Sequence, residues 1–197
     1  MEYIIKPERT AITNGVSLSC KELVENYKEG LVLDYGFGKL RNSKYLLENN
    51  IPIHVLDTEV QIKNNKSNLD ILNIKKVFKS TDILPCKYYD HILLSFVLNV
   101  IPDKNERVQI LKNISRSLKG GGLVYIEVRN DTFVKNLKNK ISYNDGYITG
   151  NGKNKTFQKP YTSTELETNL KECGFNVLKI KKTSGSILAI CKKEAVV

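Results

Sequence analysis

The stretch Leu31-Val32-Leu33-Asp34-Tyr35-Gly36-Phe37-Gly38 reads as a short buried strand that ends on an acid and runs into a glycine turn. Asn42 to Glu48 follows as a helix with Tyr45, Leu46 and Leu47 inward, and Ile51 to Leu56 as a second strand closed by Asp57. Gly36 and Gly38 permit a sharp turn and a close approach of the backbone to a ligand. The free amides at the start of the next helix favour an anion there. An acid placed as Asp57 is, at the end of the second strand, can accept hydrogen bonds from both hydroxyls of a ribose. A lone Gly-x-Gly pair arises by chance in many loops. The whole series of strand, acid, glycine turn, helix, strand and acid predicts a nucleoside-cofactor site. A dinucleotide is disfavoured, because the third glycine of that fingerprint would fall on Arg41.

Upstream, Ser17 to Tyr27 reads as a helix capped by Ser17 or Ser19, with Leu18, Leu23 and Val24 as its apolar side. Downstream, Gln61 to Asn73 is polar and predicts a weak helix at most. Lys76 to Phe78 predicts a short third strand, followed by Thr81-Asp82, and His91 to Ser95 is an apolar run typical of a buried parallel strand. The clearest helix spans Asp103 to Leu118: Asp103 with Glu106 resembles a capping box, and Val108, Leu111, Ile114 and Leu118 form an apolar stripe. Gly120-Gly121-Gly122 is expected to stop that helix and Leu123 to Val128 to form the fifth strand. Thr162 or Ser163 caps a last helix that carries Leu166 and Leu170 and ends at Gly174. Phe175 to Ile180 and Ser186 to Cys191 are joined by a turn too short for a helical crossover, which predicts an antiparallel pair. Strand and helix in alternation, closed by a hairpin, predict an α/β three-layer sandwich. Its sheet should be Rossmann-like, seven-stranded and mainly parallel, with an antiparallel last strand, in one domain over residues 1–197.

Composition narrows the function classes. No apolar run approaches the ~20 residues of a membrane helix, and residues 1–9 have no signal-peptide core, so a cytoplasmic protein without a membrane partner is expected. Cys20, Cys86, Cys173 and Cys191 stand far apart, and His54 and His91 fall inside strands, so no metal site is expected. The net charge is +10, yet only five of the 31 basic residues are arginine and the lysines are spread along the chain. Nucleic acid is therefore a candidate partner on charge alone.

These motifs resemble the class I S-adenosylmethionine-dependent methyltransferases over residues ~31–192. Asp34-Tyr35-Gly36-Phe37-Gly38 is similar to their first motif, and Asp57 matches their second-strand acid. Asp82, in Ser80-Thr81-Asp82-Ile83-Leu84, is the best match to the acid beside the adenine. Tyr89-Asp90 through Pro102 is similar to their fourth strand and helix entry, and Leu118 through Gly122 to their approach to strand five. Leu40 departs from the pattern, standing where many members have a third glycine. A narrower set of segments looks like the methyltransferases associated with DNA phosphorothioation gene clusters. These are Arg9 to Ile12, Leu33 to Gly36, Val97 to Pro102, and Thr156 to Lys159 with Tyr161.

The resemblance implies S-adenosylmethionine as cofactor, with Asp34, Tyr35, Gly36 and Gly38 shaping its methionine end, Asp57 on the ribose, and Thr81 with Asp82 at the adenine. Residues 1–30 would cover the cofactor, through Thr10 or a neighbour. Ser95 and Phe96 would lie at the reacting end of strand four. Substrate contacts are expected from Asn99, Arg129, Gln158, Lys159 and Tyr161, the last three on a substrate-side insertion over residues 130–161 whose aromatics alternate with lysines. The acceptor is not identified, and no residue stands out as a catalytic base. Pro85-Cys86 resembles the catalytic dipeptide of cytosine-ring methyltransferases but precedes the strand it would have to follow. Ser95-Phe96-Val97-Leu98 replaces the Asn/Asp-Pro-Pro-aromatic motif of DNA amino methyltransferases. Direct base methylation by either usual route is thus not expected. The expected activity is methyl transfer; the alternative, motivated by Leu40, is a non-enzymatic module of the same fold that binds cofactor weakly and acts as a partner in a nucleic-acid complex.

Overall fold

Val32–Tyr35, Tyr89–Ser95 and Leu118–Arg129 each contain an apolar run (residues 32–33, 92–94 and 123–126), and in the computed structural model they become the three central strands of a sheet covered on both faces. The structure describes residues 4–150 and 154–194. In chain order its elements are β1 (Ile4–Ile5), α1 (Leu18–Asn26), β2 (Val32–Tyr35), α2 (Arg41–Glu48), β3 (Ile53–Asp57), α3 (Glu59–Asn64), α4 (Lys66–Ile71), β4 (Val77–Lys79), β5 (Tyr89–Ser95) and α5 (Lys104–Ser117). There follow β6 (Leu118–Arg129), α6 (Asp131–Lys135), β7 (Ile141–Tyr143), β8 (Gly146–Thr149), β9 (Asn154–Gln158), α7 (Ser163–Glu172), β10 (Phe175–Lys182) and β11 (Ser186–Lys193).

The main sheet has seven strands in the order β10-β11-β6-β5-β2-β3-β4, parallel except for β11, which runs against both β6 and β10. This is the expected fold. One face packs Ile110, Leu111 and Ile114 of α5 and Leu166 and Leu170 of α7; the other packs Cys20 and Leu23 of α1, Leu46 of α2 and Leu69 of α4. Helix starts follow the capping residues. Ser17, Thr58, Asp103 and Thr162 each accept a hydrogen bond from an amide of the first turn, a contribution of about 1 kcal/mol per cap.

Two local expectations change. Gln61 to Asn73 is not one weak helix but two short ones, broken where the buried Asn65 amide donates to the carbonyls of Gln61 and Gly38. The glycine triplet does not stop α5; the chain turns extended at Leu118 and β6 begins there. Leu118 pairs with Tyr89 and Leu123 with His91, so Gly120–Gly122 takes up the extra residues of an irregularity within the strand. The long connection after Lys135 carries structure of its own: β7, β8 and β9 form a second sheet with β1, in the order β1-β9-β8-β7. Asn144-Asp145 makes the two-residue turn between β7 and β8, with Asn144 at φ 50°. Gly146 is required next, because a Cβ there would sit 2.6 Å from the buried ring of Phe157. β1 joins by parallel pairing of Ile4 and Ile5 with residues 154 and 155, which ties the N-terminal segment to the insertion.

Candidate functional site

The carboxyl ends of β2, β3, β5 and β6 open on a cavity of about 460 Å³, within the range of a site for a small organic ligand. Its floor is the turn after β2. Gly36 and Gly38 stand at φ 78° and 57°, and a Cβ on Gly36 would lie 2.4 Å from Val97 Cγ2. The Gly36 amide donates to the Leu56 carbonyl at 2.7 Å, and the Gly38 amide to Asp57 Oδ2 at 2.7 Å. Leu40, in the place of a third glycine, adopts the left-handed conformation at φ 63° and caps α2. That conformation costs a leucine about 1–2 kcal/mol; its fully buried side chain returns about 1.5–3 kcal/mol. The turn is thus built without the glycine.

Asp57 closes β3 with both carboxylate oxygens on backbone amides, Gly38 on Oδ2 and Thr58 on Oδ1, each at 2.7 Å. A carboxylate has about four acceptor positions, so it keeps capacity for a diol in the cavity. Burial pushes its pKa up, the two amides opposing. Asp34 is buried further and does not reach the cavity: it accepts from Ser43 Oγ at 2.6 Å, and burial raises it to about 6. Its part in the site is to brace the start of α2 from beneath.

The cavity gathers Thr10, Tyr35, Gly36, Gly38, Asp57, Thr81, Ser95, Phe96 and Arg129 from the expected set. Thr10 arrives with Pro7, Glu8, Ala11 and Ile12, and the segment is held by Gln61 Nε2 on the Glu8 carbonyl at 3.2 Å. Ser95 Oγ lies in a hydroxyl cluster with Ser17 and Ser19 at the start of α1, 3.0 Å from Ser17 Oγ. Phe96 leaves β5 at φ 59°, its amide donating to the Glu127 carbonyl at 2.7 Å.

Besides Asp34, five expected residues stand outside the cavity lining. Asp82 turns back to accept from the Lys79 amide at 2.7 Å, closing its own turn in solvent. Asn99 is buried under the insertion: its carbonyl accepts from the Lys159 amide and its side chain donates to Gln158 Oε1 at 3.2 Å. Lys159 is buried between Asp145 at 3.2 Å and Glu165 at 2.6 Å, and Tyr161 is packed in the core. These side chains join the small sheet to the main one instead of facing the cavity.

What the sequence reading missed is α5. Glu106, Gln109, Ile110 and Asn113 line the cavity at helical spacing, a second face of the helix whose apolar stripe had been read as core alone. Burial raises the Glu106 carboxyl. Arg41, read only as an obstacle to a dinucleotide, also lines the cavity and donates to the Gly15 carbonyl.

An acid on the second strand, a backbone cradle after the first and an antiparallel last strand together place the chain among its relatives, and a family model described as a methyltransferase domain matches residues 17–180. The chain belongs to this methyltransferase-domain family. The methyltransferase domain is 26% identical over 185 residues to the uncharacterized protein YmfD of Escherichia coli strain K12, covering 85% of this chain and 81% of that one. Its fold is similar to the PH0226 protein of Pyrococcus horikoshii, with a TM-score of 0.75, 17% identity and 89% and 88% of the two chains covered. It also resembles a Burkholderia thailandensis 1,6-didemethyltoxoflavin-N1-methyltransferase crystallised with S-adenosylhomocysteine, with a TM-score of 0.67, 16% identity and 90% and 76% covered. Among the described residues of this domain, no helix is long and apolar enough to cross a membrane.

Proposed function

We propose that this methyltransferase domain binds S-adenosylmethionine in the cavity above β2 and β3 and transfers its methyl group to an acceptor entering over β5 and β6. The observation that carries the reading is the joint between Asp57 and the glycine turn, where one carboxylate both fixes the Gly38 amide and faces the cavity. When bound, the cofactor supplies a methyl group already activated on a sulfonium, which leaves on attack by the acceptor's electron pair and needs no covalent help from the protein. The protein's share is positional. Asp57 would hold the ribose, Leu56, Ile110 and Tyr35 the adenine, and the Gly36–Gly38 backbone the methionine end, while Pro7 to Ile12 exclude water from above.

Against the alternative of a non-enzymatic module that binds cofactor weakly stands the left-handed Leu40, since the turn forms with leucine in place. Titration calorimetry with S-adenosylhomocysteine tests the reading: micromolar binding is expected, and no heat at millimolar ligand would sink it. Asp57→Ala is expected to weaken binding by roughly thirtyfold, the equivalent of about 2 kcal/mol for charged hydrogen bonds lost. A nucleic-acid setting for the acceptor is supported by the net charge of +10. The segments of the narrower resemblance, Val97 to Pro102 and Thr156 to Tyr161, meet each other through Asn99, Gln158 and Lys159, so their likeness is also explained as a shared joint. Gel retardation of duplex DNA at low salt checks the setting, and unretarded DNA removes it.

A further inference from the structure

The cavity carries charge of both signs: Glu8, Asp57 and Glu106 line it, and so do Lys39 and Arg41 after the glycine turn and Arg129 at the end of β6. Arg129 ends β6 with its guanidinium 4.3 Å from the ring centre of Phe96 and 4.1 Å from that of Phe133. Arg41 stands 5.6 Å from the Phe96 centre. Neither guanidinium is within ion-pairing distance of a carboxylate among the described residues. Of the two acids two residues away in the chain, Glu127 is buried with its oxygens on the Ser19 amide and Ser186 Oγ, and Asp131 pairs with Lys135 and Lys182. Burial lowers the pKa of both guanidiniums, and the Glu127 charge, out of contact with either, opposes it only in part. Two aromatic rings orient the Arg129 plane, leaving its donors as a fork that matches an oxyanion with two acceptor oxygens.

Position separates this site from the ribose end. β3 and β6 are three strands apart in the sheet, about 14 Å at the usual strand spacing, and β5 lies between the glycine turn and Arg129. We infer that Arg129, with Arg41 and the Phe96 ring beside it, receives an oxyanion of the methyl acceptor, a carboxylate or a phosphate. This rests on the methyltransferase reading for its choice of ligand but not for its geometry. Phe96, held at positive φ at the strand end, is then a wall between the two cations, a strained residue of the kind that gathers at ligand clamps.

Calorimetry with benzoate, phenyl phosphate and neutral benzamide, on the protein alone and on the protein saturated with S-adenosylhomocysteine, tests the inference. Both anions are expected to bind at least tenfold more tightly than benzamide, and the tighter of the two identifies the acceptor group. Arg129→Gln should abolish that preference while changing S-adenosylhomocysteine affinity less than twofold. Arg41→Gln, the second variant should the first not fold, should reduce the preference severalfold. Equal binding of benzamide and the anions would overturn the inference. So would a tenfold loss of S-adenosylhomocysteine affinity in Arg129→Gln, which would assign the arginine to the cofactor's own carboxylate. If S-adenosylhomocysteine does not bind at all, the methyltransferase reading falls, and the anion preference of the protein alone still decides the site.

Discussion

At the carboxyl ends of β2 and β3, Asp34 and Asp57 are buried with no cation within ion-pairing distance among the described residues. Behind β9, Lys159 is buried between Asp145 and Glu165, and Arg107 pairs with Asp145 as well. Both regions take charge out of water, yet only the first leaves it uncompensated. In the cradle, burial is the largest influence on both acids and raises them, with neutral donors (Ser43, Gly38, Thr58) as the only hydrogen bonds opposing it. In the clamp, opposite charges meet, and the acids keep about a third of their side-chain surface in solvent. The difference separates purposes. In the proposed site Asp57, free of cations, keeps acceptor capacity for a ligand's hydroxyls, whereas the clamp satisfies its charges internally.

The comparison breaks most directly at Asp34. A carboxyl raised from 3.8 to about 6 in the folded state binds protons more tightly than in the unfolded chain. Its contribution to stability is therefore greatest below pH 3.8 and is lost as pH rises through about 6. Asp34→Asn removes that loss. The variant should gain stability relative to the parent between about pH 4 and 7, by up to about 3 kcal/mol, as measured by urea denaturation across that range. A difference that does not change with pH would show that the cradle is compensated after all.

The clamp is tested by Lys159→Met, which keeps the stem and removes the charge. Breaking a buried pair costs about 3–5 kcal/mol, but Glu165 and Asp145 can turn to solvent and Arg107 still holds Asp145. About 2 kcal/mol of destabilisation is expected. S-adenosylhomocysteine affinity should stay within twofold, because Lys159 does not reach the cavity. A large loss of affinity at unchanged stability would return Lys159 to the ligand site.

The two regions also differ in how far the sequence discloses them. The cradle is local: Asp34, Gly36, Gly38 and Asp57 announce themselves because each residue type is demanded by a turn or a strand end within one β-α-β unit. The seven-stranded sheet follows from the same periodicity, down to the closing hairpin. The clamp is made by residues far apart in the chain, Arg107, Asp145, Lys159 and Glu165, and nothing in the pattern near Lys159 distinguishes a buried ion from a ligand contact. The small sheet had one readable signal, Asn144-Asp145-Gly146 between short alternating runs. Its first strand comes from the N-terminal segment, a pairing no local pattern specifies. Asp82 misleads for a related reason: an acid after a strand serves as well to close a turn as to meet a ligand, and here it closes the turn.

Leu40 is where the cradle's own logic is most exposed, and it carries the smallest expected effect. If the family's glycine were needed for the turn, Leu40→Gly should tighten binding; if the leucine has been absorbed, it should not. Glycine relieves about 1–2 kcal/mol of left-handed strain. It also forfeits a fully buried side chain packed in the cluster with Phe37, Cys20 and Leu46, worth about 2–3 kcal/mol with the cavity it leaves. A net destabilisation of about 1 kcal/mol follows, visible as a small shift of the urea midpoint. The backbone at positions 36 to 38 is held by Leu56, Asp57 and Asn65 and by the Leu40 amide on the Phe37 carbonyl, a backbone bond that glycine keeps, so S-adenosylhomocysteine affinity should move less than threefold. A tenfold tightening would mean that Leu40 holds the turn away from its binding form, and with it the opening of the cavity above Asp57.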